Sequence, residues 1–373
     1  MTKGKLGWFL RKAARFFTPL SLVFFGLGFL ALCIHLVALS SQSAANFLHA
    51  HVTPVVRGAL GYLTCLYPLS LVETALLLLP LWVFLLVRLV RRVAADREKA
   101  LRCLTLLLSV PVLIYAFFVG THAMGYLTDS IDERLSLEKN KPDADGLYAT
   151  AYWLTEEANA LAALLPDRAE DGSVKMPYSY FQMNRELVAA YRSLAEKYDF
   201  IPSLSVGTKP VLLSHPMAYT GITGVYTFFT GEANVNTVYP DYSTVYTAAH
   251  EMAHARGISR EDEANFVAFL ACMESEDSFI RYSGCVGLLQ YIGSAAYRTD
   301  STRYSALWSA YGDAIVGDFR AYNQIYDRYD GTLVGEVSGA LNDLYLSGMG
   351  TEGSISYSLV VELAVAYYEQ EIK

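Results

Sequence analysis

The sequence predicts an α+β, mostly helical protein, with three N-terminal transmembrane helices followed by a mixed domain outside the membrane. Three observations carry this. The 373-residue chain is 53% hydrophobic and only 18% charged, whereas a soluble domain is usually about 25% charged. Three apolar runs of spanning length fall in its first third. The charge is also split: residues 1–123 hold 12 Lys and Arg against 3 Asp and Glu, a net +9, and residues 124–373 hold 17 against 34, a net −17. Such a composition excludes a disordered chain. The acidic part offers no basic surface for nucleic acid, which is excluded as a partner.

The apolar runs cover about Phe17–Ser40, Leu69–Val90 and Leu101–Met124. Each approaches the roughly 20 residues that cross a bilayer as a helix, and Pro80 and Pro111 are tolerated inside such helices. The first run exceeds the roughly 7–15-residue core of a signal peptide, so an uncleaved anchor is expected. His35 reads as a helix–helix contact and Glu73 as interfacial. Lys3, Lys5, Arg11, Lys12 and Arg15 precede the first run. Arg88, Arg91, Arg92, Arg97, Lys99 and Arg102 follow the second, and Arg57 alone lies between the first two. Basic residues stay inside. The expectation is therefore a multi-pass protein of the cell membrane with a cytoplasmic N-terminus and an extracytoplasmic C-terminal domain. The boundaries expected are a membrane domain at 1–124, a polar linker at 125–146 and the outer domain at 147–373.

Within the outer domain, Leu147–Leu165 and Glu186–Tyr198 read as helices. Lys209–Asn236 changes character, with Val, Tyr, Thr and Phe bounded by glycines, and reads as strands and turns. Glu232, Asn234 and Asn236 read as a turn clamped by Asn side chains. Helical patterns return at Ser243–Arg256, Arg260–Glu274, Arg303–Arg328 and Val334–Leu346, with an amphipathic stretch at Ser358–Ile372. Five cysteines and no CxxC exclude a Cys-type zinc site. Cys272 and Cys285 are open to either of two readings, a disulfide or two reduced core thiols.

The chemistry sits in AHEMAHARGISREDEANFVAFLA, Ala249–Ala271. On a helix, positions i and i+4 share a face, so His250 and His254 can bind one Zn²⁺ while Glu251 reaches water on the metal. Asp241 and Ser243 are N-cap candidates for the first helix, and Gly257 is placed to end it. Ser259 can cap a second helix, with Asp262 three residues on. That helix–turn–helix brings a third ligand back to the two imidazoles. Glu261 is preferred, because Asn265 shares its face and can hydrogen-bond a ligand imidazole. Glu263 is the competitor, and either acid alternatively reads as solvated in a first turn favoured by the helix dipole.

On these residues the chain resembles zincin metallopeptidases of the gluzincin type. Their HExxH…ExxxD pattern falls on His250, Glu251, His254, Glu261 and Asn265, with Asn in place of Asp and an unusually short gap between His254 and Glu261. Gly257 is similar to the glycine turn of metzincins, but Arg260 stands where their third His would be. Over most of its length, in GITGVYTFFTGEANVN, HEMAHARG, EDEANFVAFLAC and the apolar N-terminal runs, the chain resembles an uncharacterised bacterial family of membrane-anchored zincin-like proteins. The resemblance implies an edge strand above the metal that pairs with an extended substrate. Gly224–Thr230, carrying Tyr226 and Phe228 as substrate-binding residues, is the expected strand, with an ordinary core strand the alternative. It also implies an oxyanion donor, for which His215, Tyr226, Tyr345 and Tyr357 stand open.

The expected function is a membrane-anchored zinc metallopeptidase. Its metal ligands would be His250, His254 and Glu261, its general base Glu251 and its partners a peptide or protein substrate and the lipid bilayer. The alternatives are a non-catalytic sensor or assembly factor, and an amidase acting on cell-wall material.

Overall fold

The computed structural model describes residues 16–349 and 356–373. The basic residues that precede the first apolar run lie outside them. Among the described residues, two helices are long and apolar enough to cross a membrane, α1 (Pro19–Ser40) and α6 (Arg97–Thr121). They run side by side in parallel. Thr105 Oγ1 donates to the Phe16 carbonyl at 2.5 Å, Gly28 lies against Val112, and His35 Nδ1 is 2.8 Å from the Tyr115 hydroxyl. His35 is thus a helix–helix contact.

Between them come α2 (Gln42–His51) and α3 (Thr53–Thr64), then α4 (Leu71–Leu77) and α5 (Leu79–Val93). The second apolar run was expected as one span. It bends by 64° between α4 and α5, as a broken span or a re-entrant loop does. Pro80, in the first turn of α5, has no N–H to continue the upstream ladder. Glu73 is buried, and its carboxylate accepts the backbone N–H of Leu212 and Leu213 at 3.0 and 2.5 Å.

The expected linker holds a short helix, α7 (Ile131–Leu135), and the Ile131 N–H donates to Glu263. A helix needs only a short apolar anchor to dock, and Ile131 and Leu137 are that anchor, both buried in the main core.

The domain that follows comprises α8 (Ala144–Ala162), α9 (Tyr180–Lys197), β1 (Thr208–Pro210), α10 (Ser214–Ala218), β2 (Gly224–Thr227), β3 (Glu232–Val235), α11 (Asp241–Ala255), α12 (Glu261–Met273), α13 (Ser278–Thr299), α14 (Ser301–Ala310), α15 (Asp313–Tyr329), α16 (Leu333–Gly348) and α17 (Ser356–Tyr367). The helix expected over Arg303–Arg328 is therefore two, broken at Tyr311–Gly312. At the centre stands α13, buried all round over residues 282–289 and packed on α8, α11, α12 and α17. Cys272 and Cys285 are two free, buried thiols.

The sheet has the order β1–β3–β2. β1 runs parallel to β3, with Thr208 opposite Ala233, and β2 runs antiparallel to it, with Gly224 opposite Val235 and Thr227 opposite Glu232. β2 is thus an edge strand. Buried charges fasten this sheet to the stretch from the end of α3 to the start of α4. Lys209 Nζ lies 2.5 Å from Glu232 Oε1 and donates to the carbonyls of Thr64 and Leu69, while the Glu232 carboxylate accepts the Leu71 N–H. Glu232 is therefore a buried ion-pair partner, not a turn residue. Asn236 does clamp a turn, donating to Ile222 O and accepting from Val238 N.

Candidate functional site

Helix α11 carries the motif and is buried along nearly its whole length. Its N-cap is Pro240, not Asp241 or Ser243. Asp241 lies in the first turn and accepts the Met176 N–H, because the chain before α9 returns to that end. Gly257 ends the helix with φ +98°, in the left-handed region that glycine alone enters freely. The Arg57 guanidinium covers this glycine, 2.5 Å from where a β-carbon would stand, and His49 Nε2 lies 2.9 Å from its carbonyl. Residues of α2 and α3, between the first two apolar runs, thus help to build the motif turn.

Helix α12 begins after Arg260, which replaces Ser259 as the N-cap. Ser259 instead donates its hydroxyl to the His122 carbonyl at 2.7 Å. The tight turn brings Glu261 back over the two imidazoles. Its Oε2 lies 3.2 Å from His250 Nε2 and its Oε1 3.5 Å from His254 Nε2. The other ring nitrogens are committed elsewhere, with His250 Nδ1 2.9 Å from Asn265 Oδ1 and His254 Nδ1 2.7 Å from the Ile258 carbonyl. With each Nδ1 so engaged, each Nε2 faces the Glu261 carboxylate. Glu263 faces away, accepting from Arg260 Nη1 and the Ile131 N–H. It is buried, not a solvated first-turn acid.

The electrostatics follow from this packing. Burial alone pushes Glu261 up, but the two imidazoles outweigh it and hold the carboxyl well below its usual range. For His254, burial works downward, and the Glu261 charge more than offsets it, raising the group to about 9. For Glu251 burial dominates, although it feels the same three groups, the imidazoles pulling its carboxyl down and Glu261 pushing it up. Burial raises its carboxyl to about 7.

These residues line one cleft of about 480 Å³, together with Thr220–Tyr226, Phe228, His122, Tyr291 and residues of α16. β2 forms a wall directly over Glu251: a β-carbon on Gly224 would come within 2.5 Å of Glu251 Oε1. The Asn236 N–H donates to Thr223 O, so ladder alternation turns the N–H and C=O of Gly224 and Tyr226 away from β3 and toward the open edge. Glu251 Oε2, Asn265 Nδ2 and the Tyr226 hydroxyl are buried without a hydrogen-bond partner among the described residues, and all three residues line the cleft.

Of the possible oxyanion donors, Tyr226 and Tyr345 line the cleft, and the Tyr345 hydroxyl lies 3.3 Å from that of Tyr126. His215 is turned to Tyr329. The Tyr357 side chain lies outside the described residues. Sequence reasoning missed His122. It is the first residue past α6, and its ring centroid lies 5.7 Å from that of His254 and 5.9 Å from that of Tyr226. The available signal was a histidine at the very end of a membrane-length apolar run.

Fold and site together define a mostly helical protein, with two helices able to cross a membrane and a His–His–Glu cluster in a cleft beside an edge strand. The chain belongs to the family described as protein of unknown function (DUF3810), which it matches over residues 49–365. No curated protein and no solved structure matches it.

Proposed function

We propose that this protein is a membrane-anchored zinc metallopeptidase of zincin type that hydrolyses peptide bonds outside the cytoplasm. The observation that carries the reading is the convergence of His250 Nε2, His254 Nε2 and the Glu261 carboxylate within 4.8 Å of one another, in the cleft that also holds Glu251. Two imidazoles and one carboxylate are a donor set of catalytic zinc sites, which keep a fourth position open. The nitrogen–oxygen separations of 3.2 and 3.5 Å suit two ligands on one tetrahedral ion, roughly 3.3 Å apart for bonds of about 2.0–2.1 Å. His250, His254 and Glu261 would hold the metal, and Asn265 would orient the His250 ring.

When bound, zinc polarises a water and the substrate carbonyl. The protein's own groups do the rest. Glu251, poised near neutrality by burial, accepts the proton of the attacking water and delivers it to the leaving amine. The outward N–H and C=O of Gly224 and Tyr226 pair with an extended substrate, and Phe228 bounds the same cleft. A ready base beside the cluster is what a purely sensory site would not need.

A third crossing is supported by the parallel packing of α1 and α6. Two consecutive spans that run in the same direction require a return between them, and the bent pair α4–α5 is the apolar segment available. Arg88, Arg91 and Arg92 at the end of α5 support a cytoplasmic turn there. A reporter fused after Lys373 is then expected to be active only outside the cytoplasm.

The test uses the full chain, because α2 and α3 help to build the motif turn. The purified protein should hold about one zinc per chain and cleave labelled peptides. Glu251→Gln should keep the metal and lose roughly 10²–10⁴-fold in rate. His254→Ala and Glu261→Gln should lose metal and activity together. Full activity in Glu251→Gln sinks the peptidase reading and favours a sensor. Cleavage of peptidoglycan fragments but not peptides would favour the amidase.

A further inference from the structure

We infer that the substrates are polypeptides tethered in the same membrane and cut within a few residues of its surface, an inference that rests on the peptidase reading above. The end of a membrane helix is itself a wall of the cleft. His122 follows the last residue of α6 and lines the cleft beside His254. The hairpin that begins with β2 is tied to the same point, since Thr121 Oγ1 donates to the Phe228 carbonyl at 3.1 Å and the Phe118 and Phe228 rings meet at 5.3 Å. An extended segment paired along β2 lies over Glu251 at Gly224. Its other end, at Thr227, is one residue from Phe228 and hence from the mouth of the bilayer. At about 3.3 Å per residue, four residues of pairing span the whole distance from base to membrane helix.

The height of the cleft is fixed, not set by a swinging stalk. Lys209 and Glu232 hold the sheet to Thr64, Leu69 and Leu71, Glu73 holds the Leu212–Leu213 backbone, and Ser259 holds the His122 carbonyl. These anchors join the sheet, the backbone just past β1 and the motif turn to Leu69, Leu71, Glu73 and His122, all within apolar runs.

The opposite wall, α16, is an amphipathic helix turned inside out. Ser338, Gly339, Asn342 and Tyr345 face the cleft. Leu333, Val334, Val337, Leu341 and Leu344 cluster on the other side and are 51–75% exposed. A helix washed by water on that side would reverse the pattern. Tyr345 contacts Tyr126, five residues past α6, which sets this apolar face beside the end of a membrane helix, where the headgroup and acyl boundary is its fitting occupant.

The experiment places the full chain, loaded with zinc, in phosphatidylcholine vesicles. The probe is a set of mixed-sequence segments fused directly after a single transmembrane helix. The comparisons are the same segments behind a flexible spacer of about thirty residues, which reaches up to roughly 100 Å, and the same segments as free peptides. Products are mapped by mass spectrometry. Cleavage is expected within the first few residues outside the bilayer, absent in Glu251→Gln, and at least tenfold weaker for the spaced and free forms, as effective concentration falls with tether length. Leu341→Glu with Leu344→Glu should remove most of the tethered advantage and leave the free-peptide rate unchanged. Equal cleavage of tethered, spaced and free segments overturns the inference and leaves the peptidase standing. Cleavage of none of them by the zinc-loaded protein overturns both.

Discussion

Gly224 lies directly over Glu251, so close that a β-carbon at residue 224 would meet Glu251 Oε1 at 2.5 Å and Thr247 Cγ2 at 2.6 Å. The backbone of a strand accepts alanine, so the fold is expected to survive Gly224→Ala. The carboxylate, as the free end of a side chain, is what must move. A displacement of about 1 Å at a reacting group costs on the order of 10²-fold in rate. Gly224→Ala should therefore lose about that much in kcat/KM while zinc content stays at the wild-type level. Unchanged kcat/KM would mean that Glu251 does not act from the position seen here.

Glu263 separates the two acids that compete in the sequence for the third ligand position. It accepts from Arg260 Nη1 at 2.9 Å and from the Ile131 N–H at 3.0 Å, with its side chain almost fully buried. As a solvated acid it would have been worth a few tenths of a kcal/mol; buried and bonded it is worth more. Glu263→Gln should lower stability by about 1–3 kcal/mol and leave metal content intact. Glu261→Gln should do the reverse, losing metal at modest cost in stability. Paired metal analysis and denaturant unfolding in detergent distinguish them, and loss of zinc from Glu263→Gln would reassign the ligand.

Lys209 on β1 and Glu232 on β3 form a buried pair within the sheet, which also bonds the backbone of Thr64, Leu69 and Leu71. Removing one partner of such a pair typically costs about 3–5 kcal/mol, because the other charge stays buried. Lys209→Met should show a loss of this size in thermal or denaturant unfolding. Adding Glu232→Gln should recover much of it, since a neutral amide can still accept the Leu71 N–H. A double variant no more stable than Lys209→Met would show that the pair positions the sheet through shape and not charge.

The motif was legible because its geometry is local. HExxH, Gly257 and Glu261 lie within one helix–turn–helix, so spacing alone brings them together. The strands were legible from their glycine-bounded β-branched residues, and β2 falls inside the expected Gly224–Thr230. Helix α13 was not legible. Its middle, residues 282–289, is buried on every side and so lacks the one-sided period that marks a surface helix. The contributions of His49, Arg57 and His122 were hidden for a different reason. They reach the motif turn from more than 130 residues away in sequence, and nothing in local spacing reports such a contact. The break between α4 and α5 was signalled by Pro80, but proline is tolerated in membrane helices often enough that the apolar run outweighed it.

Asp318 gives the domain a pH dependence that its core predicts. The residue is fully buried. Its Oδ1 accepts the Val174 N–H at 2.9 Å and its Oδ2 the Tyr282 hydroxyl at 2.6 Å. Burial pushes the carboxyl up from 3.8 to about 7, although both hydrogen bonds pull the other way. A raised carboxyl pKa means that the folded state keeps a proton which the unfolded state has released. Below about pH 4 both states are protonated and the site is neutral in the balance. As pH rises from about 4 to 7 the unfolded chain ionises first, so stability falls through that window and the loss is complete above it. Asn in this position keeps an acceptor for Val174 and can donate to the Tyr282 oxygen, without any titration. Asp318→Asn should therefore be no more stable than the wild type near pH 4 and gain on it steadily toward pH 8, by an amount on the order of a few kcal/mol. Other buried acids shape both curves alike, so the difference between the two unfolding profiles isolates Asp318. Parallel profiles across pH 4–8 would show that Asp318 is ionised in the folded protein throughout.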